Sequence, residues 1–124
     1  MRVRKAFSFE AAHVLPNHPG KCSRLHGHSY RLDVAVDGPL HDSGPSAGMV
    51  IDFDAIAEIV QREIIERVDH QSLNDVVENP TSELVAAWMW NRLAPALPGL
   101  AELVLWETSS ACAVVTANDM RGGA

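Results

Sequence analysis

The sequence predicts an α+β domain: an antiparallel sheet carrying two helices on one face, in the order ββααββ. Three observations predict it. Two long alternating segments open the chain, two helical stripes fill its middle, and two apolar strand-like runs close it. Side chains repeat every two residues along a strand and every 3.6 along a helix, so these patterns separate the two element types.

Residues 2–12 form the first expected strand, with Val3, Lys5, Phe7, Phe9 and Ala11 on one mostly apolar face. Pro16, Asn17, Pro19 and Gly20 make residues 13–25 an irregular loop. In residues 26–37, Leu32, Val34 and Val36 alternate with Arg31, Asp33 and Ala35, a second strand. Asp37-Gly38-Pro39 and Ser43-Gly44-Pro45 then mark a turn-rich loop. Asp52 can cap a helix starting near Phe53, whose apolar stripe is Phe53, Ile56, Val60, Ile64 and Val68. Asn79-Pro80-Thr81-Ser82-Glu83 supplies a second helix start: proline in the first turn, hydroxyls to cap, an acid near the positive end. This helix is expected to run to about Leu93 with Leu84, Trp88 and Leu93 inward. Residues 100–107 and 111–115 read as the last two strands. One domain therefore covers residues 1–117, and residues 118–124 are expected to be a flexible tail. An open sheet leaves edges, which association into a homo-oligomer would close.

With 47% hydrophobic and 21% charged residues, the composition is that of a globular domain. A net charge of -6 argues against a nucleic-acid partner, since no basic field is available for phosphates. No apolar run has membrane-spanning length, and the basic start Met1-Arg2-Val3-Arg4-Lys5 is followed by no signal-type apolar core. The expected location is cytoplasmic, with Cys22 and Cys112 as free thiols.

Chemistry concentrates in Cys22-Ser23-Arg24-Leu25-His26-Gly27-His28. On a strand, His26 and His28 point the same way and can converge on one ion, with His13 upstream as a third imidazole. Three such ligands leave tetrahedral Zn²⁺ one open position, as in catalytic sites. Cys22 reads either as a fourth, structural ligand or as a thiolate base near the open position. Asp69-His70 alone reads as the polar end of the first helix; beside a metal and a thiol it reads as a carboxylate orienting a proton shuttle. Glu107 is either an exposed strand-end acid or a carboxylate binding a planar amidine-like edge through two parallel hydrogen bonds.

Together these residues resemble the 6-pyruvoyltetrahydropterin synthase / 6-carboxytetrahydropterin synthase family. The resemblance runs from Phe7 to about Val115. It rests on Phe9-Glu10-Ala11-Ala12-His13, Cys22-x3-His26-Gly27-His28, Gly48-Met49-Val50-Ile51-Asp52-Phe53, Asp69-His70-x2-Leu73-Asn74, Asn79-Pro80-Thr81-Ser82-Glu83 and Glu107-Thr108. Ile56 and Ala57 stand where the family often has Leu-Lys, a departure expected to touch only the helix surface. The resemblance implies the T-fold (tunnelling fold), commonly assembled as a hexamer of two stacked trimers with active sites between subunits. It implies His13, His26 and His28 as zinc ligands, Cys22 as proton-abstracting base, and Asp69 and His70 as a proton relay. It also implies Glu107 as pterin anchor and relay partner, and Thr81 beside the pterin.

The three-residue gap between Cys22 and His26 resembles the bacterial 6-carboxytetrahydropterin synthases of the queuosine (7-deazaguanine) pathway. The implied reaction converts 7,8-dihydroneopterin triphosphate to 6-carboxytetrahydropterin with release of acetaldehyde and triphosphate. Zn²⁺ is then the sole cofactor and the pterin triphosphate the small-molecule partner. Competing readings are a pyruvoyl-type synthase, a dihydroneopterin aldolase-like enzyme, and a non-enzymatic binding module stabilised by zinc.

Overall fold

The computed structural model describes residues 1–122. Its centre is a long antiparallel pair: β1 (Arg2–His13) and β2 (His26–Asp37) run together from Arg2↔Asp37 to His13↔His26. β4 (Leu100–Thr108) joins the other side of β2, and β5 (Ala111–Thr116) joins β4, both antiparallel. A two-residue strand, β3 (Gln71–Ser72), lies parallel to β1 at Ala11 and Ala12. The sheet therefore has five strands in the order β3-β1-β2-β4-β5 and is mixed, not the four-stranded antiparallel sheet expected. Two residues are too few to show any period. What places them is the hydrogen bond from the His70 amide to the Glu10 carbonyl, 2.6 Å, which draws the chain against β1.

Helix α1 (Phe53–Val60) starts where Asp52 accepts a hydrogen bond from the Asp54 amide at 2.8 Å. It continues through a π-helical stretch, Gln61–Ile65, and a last turn, Glu66–Val68. Ile56, Val60, Ile64 and Val68 are fully buried, while Phe53 is 50% exposed. Ile56 thus belongs to the core and not to the helix surface, so the departure at that position changes packing. The wider π turn brings Ile64 and Ile65 both inward. Arg92 reaches the widened segment, donating to the Glu63 carbonyl and to its carboxylate, each at 2.9 Å. Arg92→Ala is therefore expected to destabilise the fold by about 1.5–3 kcal/mol, the range for hydrogen bonds made by charged groups. Urea unfolding with an unchanged m-value measures this.

Helix α2 (Ser82–Leu93) is capped by the Thr81 hydroxyl, which accepts from the Leu84 amide at 3.2 Å. Its buried face is Val85, Ala86, Met89, Trp90 and Leu93; Leu84 is exposed and Trp88 only half-buried, against expectation. Two apolar stripes run along this helix at helical spacing, and periodicity cannot choose between them. The sheet chooses: the inward stripe joins Leu32, Val34, Leu103 and Leu105 in one core. At the end of the chain, helix α3 (Ala117–Gly122) lies within the segment expected as a tail; residues 123–124 of that segment lie outside those described. Asp119 accepts from both the amide and the hydroxyl of Thr116, at 2.8 and 3.0 Å, a side-chain cap on the first turn.

Candidate metal centre and the groups around it

The register of the long hairpin builds the site. His13 ends β1 and His26 begins β2, and they are direct cross-strand partners. His28, two residues on, shares the core-facing side with His26 and Tyr30. The three imidazoles meet nearly edge to face, with centroids 4.5, 5.2 and 5.0 Å apart.

Backbone carbonyls set the tautomers of two rings. His13 Nδ1 lies 2.8 Å from the Pro80 carbonyl and His26 Nδ1 lies 2.7 Å from the Arg24 carbonyl. A carbonyl only accepts, so each Nδ1 is the donor, and it is Nε2 that is left to face the centre of the cluster. His13 is fully buried, and the Nε2 atoms of His13 and His28 are buried without a hydrogen-bond partner. Burial pulls the His28 pKa below its usual value, outweighing the upward pull of Glu107, which keeps the ring neutral near pH 7. Buried, unpartnered imidazole nitrogens turned toward one another are what a metal site needs of its ligands.

Glu107 joins them. Its Oε1 lies 3.2 Å from His13 Nε2 and 3.1 Å from His28 Nε2. Ligand atoms of His13, His26, His28 and Glu107 all fall within 4.8 Å of one another, so the four could hold one metal ion. The sequence set Glu107 apart from the metal ligands. Alternation along β4 puts it on the face of buried Leu103 and Leu105, and a register slip, with Trp106 paired to Cys112 and Thr108 to Ala111, leaves it with no partner across. The donor set, three imidazoles and a carboxylate oxygen, suits Zn²⁺.

Asp69 and His70 do touch, although neighbouring side chains ordinarily diverge. His70 has a φ of 59°, and this left-handed turn after the helix brings its Nδ1 to 3.0 Å from Asp69 Oδ1. The Glu10 amide donates to Asp69 Oδ1 at 2.9 Å, and this bond, helped by His70, holds the Asp69 carboxyl below the usual carboxylate range. Such a backbone, uncommon for histidine, is often kept at functional sites. His70 and His28 line the same cleft, about 560 Å³, together with Glu10, Leu25, Ser29 and Gln71.

Cys22 sits half-buried and free in a single helical turn, Lys21–Ser23, and is outside the four-residue cluster. Thr81 is occupied as the α2 cap; its neighbour Pro80 supplies the carbonyl that holds His13. Sequence reasoning missed four supports: the Pro80 and Arg24 carbonyls, the Glu10 backbone, and Asn74. Asn74 accepts from the Val14 amide at 2.8 Å and donates to the Val14 carbonyl at 2.9 Å, which fixes the chain just after His13. Glu10, Asn74 and Pro80 carried a signal, their places in the quoted motifs; Arg24 carried none. Buried Tyr30 stacks on Phe9 at 4.9 Å, and burial raises its pKa, so it stays a neutral phenol beside the cluster.

Comparisons with known proteins bear on this site. The profile of the 6-pyruvoyl tetrahydropterin synthase family matches residues 2–118. A protein of Synechocystis sp. named 6-carboxy-5,6,7,8-tetrahydropterin synthase is 44% identical over 115 residues, covering 90% of this chain and 89% of that one. One of Pyrococcus furiosus named dihydroneopterin monophosphate aldolase is 36% identical over 109 residues, covering 86% and 89%. The solved 6-pyruvoyl tetrahydropterin synthase of Caenorhabditis elegans superposes with a TM-score of 0.82 at 26% identity, over 94% of this chain and 95% of that one. The architecture is thus the T-fold the resemblance implied. A histidine cluster on paired strand ends, an Asp-His pair on a strained turn and a family match along nearly the whole chain agree: this protein belongs to the 6-pyruvoyl tetrahydropterin synthase family.

Proposed function

We propose that the chain is a zinc-dependent 6-carboxy-5,6,7,8-tetrahydropterin synthase. It would convert 7,8-dihydroneopterin triphosphate and one water to 6-carboxytetrahydropterin, acetaldehyde and triphosphate, serving 7-deazaguanine (queuosine) biosynthesis. The observation that carries the reading is the histidine cluster, with the Nε2 atoms of His13 and His28 buried and unpartnered, in a chain 44% identical to a synthase of that name. No external reductant is required, because oxidation of the side chain balances reduction of the ring.

His13, His26 and His28 would hold the zinc, which supplies Lewis-acid polarisation of the substrate's side-chain oxygens. The chain's own groups then do the proton work. Cys22, as thiolate, takes the carbon-bound proton beside the developing carbonyl. His70, oriented by Asp69, returns a proton from the shared cleft. Glu107 accepts the planar amidine-like edge of the pterin, and Thr81 lies next to the ring. Among the described residues, no helix is long and apolar enough to cross a membrane. We assign a cytoplasmic enzyme acting on a small pterin triphosphate, assembled as a homohexamer of two trimers. The first half of β1 and all of β5 have a neighbour on one side only, and association would cover these edges.

Incubation of the zinc-loaded protein with 7,8-dihydroneopterin triphosphate tests the proposal. Mass spectrometry is expected to show 6-carboxytetrahydropterin and acetaldehyde. The Pyrococcus furiosus relative favours a second reading, an aldolase. An aldolase would leave a hydroxymethyl group on the ring, and a pyruvoyl-type synthase would keep all side-chain carbons. Either product replaces the first reading.

A further inference from the structure

We infer that Glu107 has two alternating partners: it closes the metal's coordination shell when the site is free, and leaves that shell when a pterin binds. The inference rests on the function proposed above. Its first ground is distance. Four ligands on bonds of about 2.0 Å in a tetrahedron stand about 3.3 Å apart. Glu107 Oε1 is 3.2 Å from His13 Nε2 and 3.1 Å from His28 Nε2. Both distances match edges of such a tetrahedron, and the whole four-residue set lies within 4.8 Å.

The second ground is polar satisfaction. The Pro80 carbonyl accepts a hydrogen bond from His13 Nδ1, so it is Nε2 that faces Glu107. The Nε2 atoms of His13 and His28 are both buried without a hydrogen-bond partner. One dication bound between them and the Glu107 oxygen would satisfy all three atoms.

The third ground is freedom to move. Glu107 sits in the register slip of β4, with pairing residues on both sides and none opposite. Its side chain is 27% exposed, unlike that of His13, which is fully buried. The three histidines are fixed by the hairpin register, so Glu107 is the ligand that can be exchanged. Withdrawal of one carboxylate opens one position and presents a two-oxygen acceptor to the arriving ring. Anchoring the substrate and exposing the metal become one event.

Cobalt-substituted protein tests this without turnover. In the free protein, Glu107→Gln is expected to change the visible Co²⁺ absorption and to weaken Co²⁺ binding at least about tenfold in competition with a chelator, the lower bound seen for loss of an outer-sphere partner. Neopterin added to the parent protein is expected to shift its spectrum, and circular dichroism checks that the variant is folded. An unchanged spectrum and unchanged Co²⁺ affinity in Glu107→Gln overturn the inference. Neopterin retained on ultrafiltration without a spectral shift overturns the exchange and leaves the proposed function standing. Neopterin not retained counts against the pterin reading and the exchange together, while the fourth-ligand assignment is still decided by the variant.

Discussion

His26→Ala is expected to leave the purified protein nearly free of zinc, with folding intact and turnover lost. The choice of His26 follows from the geometry. His13 is fully buried and hydrogen-bonded to the Pro80 carbonyl, so its removal would open a cavity and strand a buried acceptor. His26 is half-buried at the first position of β2, and its supporting bond runs to the nearby Arg24 carbonyl. Cutting its side chain therefore costs the core little. The remaining donors, two imidazoles and one carboxylate, still face the site but lack a side of the coordination shell. Zinc affinity is expected to fall by more than about a hundredfold, since loss of an outer-sphere partner alone costs ten- to hundredfold. Elemental analysis and circular dichroism check it. Full metal content in the variant would remove His26 from the ligand set.

The histidines were legible in the sequence because strand geometry is simple. A two-residue spacing places His26 and His28 on one face, and the hairpin register then delivers His13 opposite His26. The sheet and the first helix were legible for the same reason, and their apolar stripes became the core. What stayed hidden depends on events with no period. Glu107 shares its face with Leu103 and Leu105 by alternation, but the register slip between Trp106 and Thr108 that leaves it unpaired is not encoded in sequence patterning. The contact between Asp69 and His70 depends on one left-handed φ at His70, where glycine or asparagine would be the usual signal. The phase of α2 was ambiguous because Leu84 and Trp88 form as good a stripe as Val85, Met89 and Leu93. Helix α3 is the instructive case. Thr116-Ala117-Asn118-Asp119 is a capping pattern in plain view, masked by its closeness to the chain end.

Cys22→Ala is expected to abolish turnover while keeping both zinc and fold, the opposite partition from His26→Ala. The thiol lies outside the cluster of four residues that could hold a metal, so its loss should not touch metal content. Its turn is held by backbone bonds: Leu15 amide to Cys22 carbonyl at 3.0 Å, Ser23 amide to Gly20 carbonyl at 3.1 Å, and Arg24 amide to Lys21 carbonyl at 3.0 Å. None of these uses the side chain. Two residues on, the Arg24 carbonyl accepts from the His26 ring, so the turn that carries the thiol is tied to the candidate metal site without use of the thiol. A base removed from such a framework costs its own contribution, about a hundredfold to ten-thousandfold in rate. Cys112, exposed on β5, provides the control: Cys112→Ala should leave turnover unchanged. Zinc lost together with activity in Cys22→Ala would make the thiol a ligand, and the site would then read as a closed structural one. Zinc retained with activity intact would pass the base role to another group, with His70 in the shared cleft the next to test.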